Sequence, residues 1–161
     1  MINRDRLVEF MRANPLVTAA TISPDGAPQA AILGVAVSDQ LELVFDTVDN
    51  SRKFRNVQRN GRVAVVFGAA GGYKSGSHDE RTVQYEGIAD VPSGEELKRV
   101  QEEIYFRQFP DGRERLKWEH ITYVHVRPTW MRYSNYNVNP PEIVEISGGE
   151  LAAYCSNLAG R

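Results

Sequence analysis

The sequence predicts a mainly β protein, a barrel of six to seven antiparallel strands, fully or partly closed, with accessory helices. Three observations carry this. Short runs of β-branched and small apolar residues recur at 16–23, 27–37, 41–47, 62–67, 81–91 and 121–127. Turn-forming clusters separate many of them, such as Pro24-Asp25-Gly26 and Ser38-Asp39-Gln40. Helical periodicity is confined to a short N-terminal segment, one crossover after the third strand and one longer stretch late in the chain. Strands in meander order close on themselves because closure removes unpaired edges.

In order, residues 3–14 place Leu7, Val8, Phe10 and Met11 on one helical face, and Asn14-Pro15 stops that helix. Residues 16–23 and 27–37 form a hairpin about Pro24-Asp25-Gly26, where proline pre-sets the bend and glycine takes the positive φ. Residues 41–47 return, an acidic turn follows, and Ser51 opens a helix that ends near Asn60-Gly61. Residues 62–67 read as a buried strand, and 68–80 as a long glycine-rich hairpin loop. That loop lacks the Gly-Lys-Ser/Thr ending of a phosphate loop. Residues 81–91 put Val83, Tyr85, Gly87 and Ala89 on one face. Ser93 and Glu96 have capping-box spacing and open a helix to about Phe109, which Pro110-Asp111-Gly112 ends. Residues 121–127 form a strand, Pro128 breaks it, and 130–136 continue it or form a last strand. The tail from about residue 137 is assigned no element.

The 161 residues make a single domain, 1–161, with a net charge of −2. That charge argues against a general nucleic-acid or anionic-membrane binder. No apolar run is long enough for a membrane span, the N-terminus lacks a signal-peptide core, and the single Cys155 excludes an internal disulfide. A cytoplasmic protein is expected. Acid–base machinery is sparse. His78, His120 and His125 lack metal-ligand spacing, no metal site is expected, and no nucleophile triad appears. Glu95-Glu96 and Glu102-Glu103 read as solvated helix surface.

One stretch departs from this bland pattern. Ser51 is a good N-cap, and Arg52 and Lys53 follow it directly, so free backbone N–H groups and two cations meet at one helix start. Such a start is an anion site in the making. The five cations Arg52, Lys53, Arg55, Arg59 and Arg62 look too widely spread for one nucleic-acid stripe, which leaves the last three as solvated or subunit-facing. With Phe45, Trp130, Tyr133 and Tyr136 available to border a flat ring, the chain suits a cofactor that brings its own chemistry.

The order Phe45-Asp46-Thr47, Ser51-Arg52-Lys53, Asn60-Gly61-Arg62-Val63-Ala64 and Glu80-Arg81-Thr82-Val83…Gly87-Ile88-Ala89 resembles the pyridoxamine 5′-phosphate oxidase-like, FMN-binding split-barrel family across about residues 15–135. The resemblance implies an antiparallel split barrel and a homodimer with FMN between the subunits. Arg52 and Lys53 would grip the phosphate, with Asp46, Thr47 and Ser51 close by. The backbone around Ile32 and Leu33 would meet the isoalloxazine ring. Thr82 stands where the family often has a glutamine, and Trp130 resembles its C-terminal aromatic. The true oxidase's cations are missing: Ala31 and Ala36 occupy two of those positions, and Phe109 a third, four residues past Tyr105. Met131-Arg132-Tyr133-Ser134 stands where its Arg-x-His pair would be. Pyridoxamine 5′-phosphate oxidation is therefore not expected. The resemblance implies a flavin-dependent oxidoreductase passing hydride through flavin N5 to or from an unidentified small molecule. The alternative is a non-catalytic flavin, deazaflavin or haem binder of the same fold.

Overall fold

The computed structural model describes residues 2–68 and 79–156. Most of the 68–80 loop, with His78, lies outside the described residues. One eight-stranded antiparallel sheet runs in the order β2-β1-β5-β6-β7-β4-β3, and β8 adds to β7. The strands are β1 (Leu16–Ile22), β2 (Pro28–Gly34), β3 (Ala36–Val37), β4 (Leu43–Val48), β5 (Arg62–Gly68), β6 (Arg81–Asp90), β7 (Ile121–Asn135) and β8 (Glu142–Ser147). The sheet curls until β2 lies against β4 without pairing to it, so the barrel is split there.

The barrel class holds, but three boundaries moved. Residues 27–37 are two strands, because the chain leaves β1 after Gly34 and β3 crosses to pair with β4. Pro128 does not break β7, since a register shift at Glu86/Gly87 absorbs it, and Pro128 sits opposite Gly87. The tail holds β8 and helix α5 (Gly148–Ser156), whose Leu151 is buried. At the first hairpin the expectation was right: Gly26 has φ +84.

Alternation fills the barrel as the sequence dictates. Val17, Val63, Val65, Phe67, Val83, Tyr85, Met131 and Tyr133 point inward and are buried. Helix α1 (Arg4–Ala13) contributes Leu7 and Met11 to the same core. A second core lies outside the barrel, between β3, β4 and β7 and a late helical layer. That layer runs through α3 (Gly94–Arg99), a π-helical turn (Val100–Tyr105), α4 (Phe106–Gln108) and a 3₁₀ segment (Pro110–Lys117). Ser93 stands at its N-cap but makes no side-chain capping bond, so the capping box does not form.

Helix α2 (Arg52–Arg59) is tied to the β1–β2 hairpin. The buried Asn56 amide donates to Thr21 Oγ1 at 2.9 Å and to Gln29 Oε1 at 3.0 Å. Asn56→Leu strands the buried Thr21 hydroxyl, and the expected loss is about 1–3 kcal/mol in urea unfolding. A wild-type midpoint in that variant would contradict the tie.

Candidate functional site

The β4–α2 junction is built by the backbone. The β4–β7 ladder ends at Val48 opposite Ile121, and Asp49 N–H donates to the His120 carbonyl at 2.9 Å. Ser51 N–H then donates to the Val48 carbonyl at 3.0 Å, which turns the chain into α2. Ser51 Oγ accepts from Phe54 N–H at 3.3 Å and lies 3.1 Å from Thr47 Oγ1. The first turn of α2 has no acidic residue.

Charge is distributed unevenly. Arg12, Lys98, Arg99, Arg113 and Arg115 are each within 3.0 Å of a carboxylate. Among the described residues the side chains of Arg52, Lys53, Arg55 and Arg59 have no such partner. Unneutralised cations and the positive end of a helix dipole therefore coincide with two hydroxyls. Arg52, Arg55 and Arg59 are all exposed, and their spacing of three and four residues puts them on one side of α2; Lys53 stands off that line and Arg62 begins β5, so the five cations form no single stripe.

Thr47, Ser51, Arg52 and Lys53 are thus brought together. Asp46 is not with them. It faces the opposite side of β4, where Arg115 Nε bonds its Oδ2 at 2.6 Å. Arg115 Nη2 also donates to the Tyr105 hydroxyl at 2.7 Å. Burial is the main cause that pushes the Tyr105 hydroxyl's pKa up, with Arg115 opposing it and Asp46 adding to it. The π-helical turn, which sets where Tyr105 falls, and Arg115, 69 residues beyond Asp46, carry no periodic signal that would have announced them. Ala36 is fully buried and Phe109 packs 5.3 Å from the Tyr105 ring, so neither position carries a substrate-binding charge.

The other predicted residues lie on β2 and on the outer face of the sheet. Strand β2 pairs only with β1, which leaves its second edge open to hydrogen-bond a ligand. On it Leu33 turns inward, while Ile32 is 71% exposed. Thr82 opposes Ser134, and Trp130 opposes Glu86, on that same outer face. Leu16, Ile32, Val66, Ile88 and Ile143 make it an exposed apolar surface. Trp130 is eight residues along β7 from Thr122, the partner of Thr47, or about 26 Å of extended strand.

A separate polar cluster is structural. His125 is buried, with Nε2 2.9 Å from Glu42 Oε1, and Arg99 also bonds Glu42. Burial opposes ionisation of Glu42, but the hydrogen bonds and charges of His125 and Arg99 outweigh it and bring its pKa down to about 2. Because the folded value lies below the usual 4.5, this stability is present above pH 4.5 and is lost as pH falls toward 2. Glu42→Gln should flatten that part of the stability–pH curve in acid titration. Among the described residues no group of three or more His, Cys, Asp or Glu is placed to hold a metal ion. None of their helices is long and apolar enough to cross a membrane.

The comparisons agree with this architecture. The family model described as pyridoxamine 5′-phosphate oxidase matches residues 4–134, and the chain belongs to the pyridoxamine 5′-phosphate oxidase-like family. No curated protein matches the sequence. Among solved structures, a haem binding protein from Mycobacterium smegmatis superposes with a TM-score of 0.75 at 18% identity, covering 95% of this chain and 61% of that one. ChuZ from Campylobacter jejuni gives 0.71 at 18% identity, covering 91% and 59%. A pyridoxamine 5′-phosphate oxidase-related, FMN binding protein from Nostoc punctiforme gives 0.66 at 12% identity, covering 91% and 92%. The chain thus spans about three fifths of the first two, and at these identities the likeness is one of fold.

Proposed function

We propose that this protein is an FMN-dependent oxidoreductase whose cofactor lies between two copies of the chain. The observation that carries the reading is the set of unneutralised cations at the start of α2, beside the Thr47 and Ser51 hydroxyls. Arg52 and Lys53 would hold the phosphate, and the open edge of β2 at Ile32 and Leu33 would meet the ring. Trp130 and Thr82 lie too far along β7 and β6 to reach that same cofactor within one chain, so a second copy would supply them. The exposed apolar outer face supports such an isologous contact. FMN, when bound, supplies hydride chemistry at N5; this chain's residues would bind it, orient it and exclude water. The lack of substrate cations at Ala36 and Phe109 favours a small molecule without a phosphate group.

A second reading, a non-catalytic carrier of flavin, deazaflavin or haem, draws support from the haem binding protein with the same fold and from the scarcity of acid–base side chains. Anaerobic mixing of the FMN-loaded protein with a reduced nicotinamide or a reduced deazaflavin separates the two. Rapid bleaching of the flavin band, with recovery on adding an oxidant, is expected for the oxidoreductase. A flavin that stays oxidised in both mixtures, or a preference for haem over FMN, selects the carrier.

A further inference from the structure

We infer that Arg132, presented beside Trp130 on the outer sheet face, is the residue that sets the redox potential of the bound flavin. The inference rests on the cofactor reading above.

Arg132 is short of partners. Its Nε has lost its contact with solvent and has no hydrogen-bond partner. Its nearest carboxylate contact is Nη1 to Glu145 Oε1 at 3.7 Å, beyond hydrogen-bonding distance. The ion-paired arginines of the second core are better served: Arg115 reaches Asp46 at 2.6 Å and Arg99 reaches Glu42 at 3.0 Å. An unsatisfied buried N–H of a charged group is costly to keep, so the guanidinium has bonding capacity that the lone chain leaves unused.

Its surroundings indicate what would use that capacity. Successive residues on one face of a strand are two apart, so Trp130 and Arg132 are neighbours on the outer face. Across the ladder Arg132 stands opposite Gln84 on one side and Glu145 on the other, and Thr82 follows Gln84 on the same face of β6. An aromatic wall, a cation, an amide and a hydroxyl side by side suit the edge of a flat heterocycle that carries ring nitrogens and carbonyls. The pyrimidine edge of a flavin has that chemistry, and reduction puts negative charge at its N1–C2=O region. A fixed cation near that charge favours the reduced form. The phosphate grip at α2 and Arg132 on β7 would then serve opposite ends of one cofactor, each supplied by a different copy.

The test is the midpoint potential of FMN-loaded wild type, Arg132→Lys, Arg132→Gln and Glu145→Gln, measured by dye equilibration alongside the affinity for oxidised FMN. Arg132→Gln should weaken binding of reduced FMN about tenfold relative to oxidised FMN, a potential about 30 mV more negative for a two-electron couple. Lysine should retain most of the wild-type value. Glu145→Gln removes the opposing carboxylate and should move the potential the other way, which keeps the test decisive should Arg132→Gln disturb the dimer. Unchanged potentials in Arg132→Gln and Glu145→Gln, with FMN still bound, overturn the assignment alone. Wild-type protein that takes up no FMN overturns the cofactor reading, and this assignment falls with it.

Discussion

Replacing Arg52 and Lys53 together by alanine is expected to abolish FMN binding and leave the fold intact. Each cation would make a charge-assisted bond to the phosphate, and such bonds contribute roughly 1.5–3 kcal/mol each. Losing both corresponds to an affinity drop of at least about a hundredfold. Neither side chain has an ion-pair or hydrogen-bond partner among the described residues, so their removal breaks nothing inside the chain. The melting temperature should therefore stay at the wild-type value. Riboflavin, which lacks the phosphate, should bind wild type and the double variant alike. Equal FMN affinity in the two proteins would place the phosphate elsewhere.

Gly87→Ala should be the most damaging single methyl in the sheet's interior. A Cβ at that position would sit 2.6 Å from the Arg127 carbonyl and 2.7 Å from Val126 Cγ1. The first of these neighbours is backbone in the paired strand and cannot swing away. The register shift at Glu86/Gly87 is what lets β7 run past Pro128 and present Trp130 outward. Overpacking of this kind costs roughly 1–3 kcal/mol, and the backbone clash should put Gly87→Ala at or above the upper end. Gly149→Ala, where the added carbon meets nothing within 4 Å, is the control. Urea midpoints read the difference, and a Gly87→Ala protein as stable as the control would refute the account of the bulge.

The fold was legible where local chemistry decides it. The Pro24-Asp25-Gly26 turn, the Ser51 cap and the alternation of Val83, Tyr85, Gly87 and Ala89 are each set by a few neighbouring residues, and each stands as read. Pro128 misled because proline's effect depends on its partner strand: opposite a register shift it does not interrupt the ladder. Strand β8 carries little local signal, because its pairing partner, β7, decides it and 142–147 is flanked by proline and glycine.

The candidate site divides the same way. Thr47, Ser51, Arg52 and Lys53 are adjacent in sequence and adjacent in space. Asp46 shares their motif, but its strand period turns it to the other face, where Arg115 holds it. Ile32, Thr82 and Trp130 share the sheet's outer face with Arg132, and only the register that runs from β2 through β1, β5 and β6 to β7 reveals that arrangement.

The most direct measurement is a visible absorbance titration of the purified protein with FMN, read together with its mass in solution by light scattering. A perturbed flavin spectrum that saturates at one FMN per chain, in a particle of twice the chain's mass, is the expected result. An unperturbed flavin spectrum, or saturable binding to a particle of a single chain's mass, would contradict it.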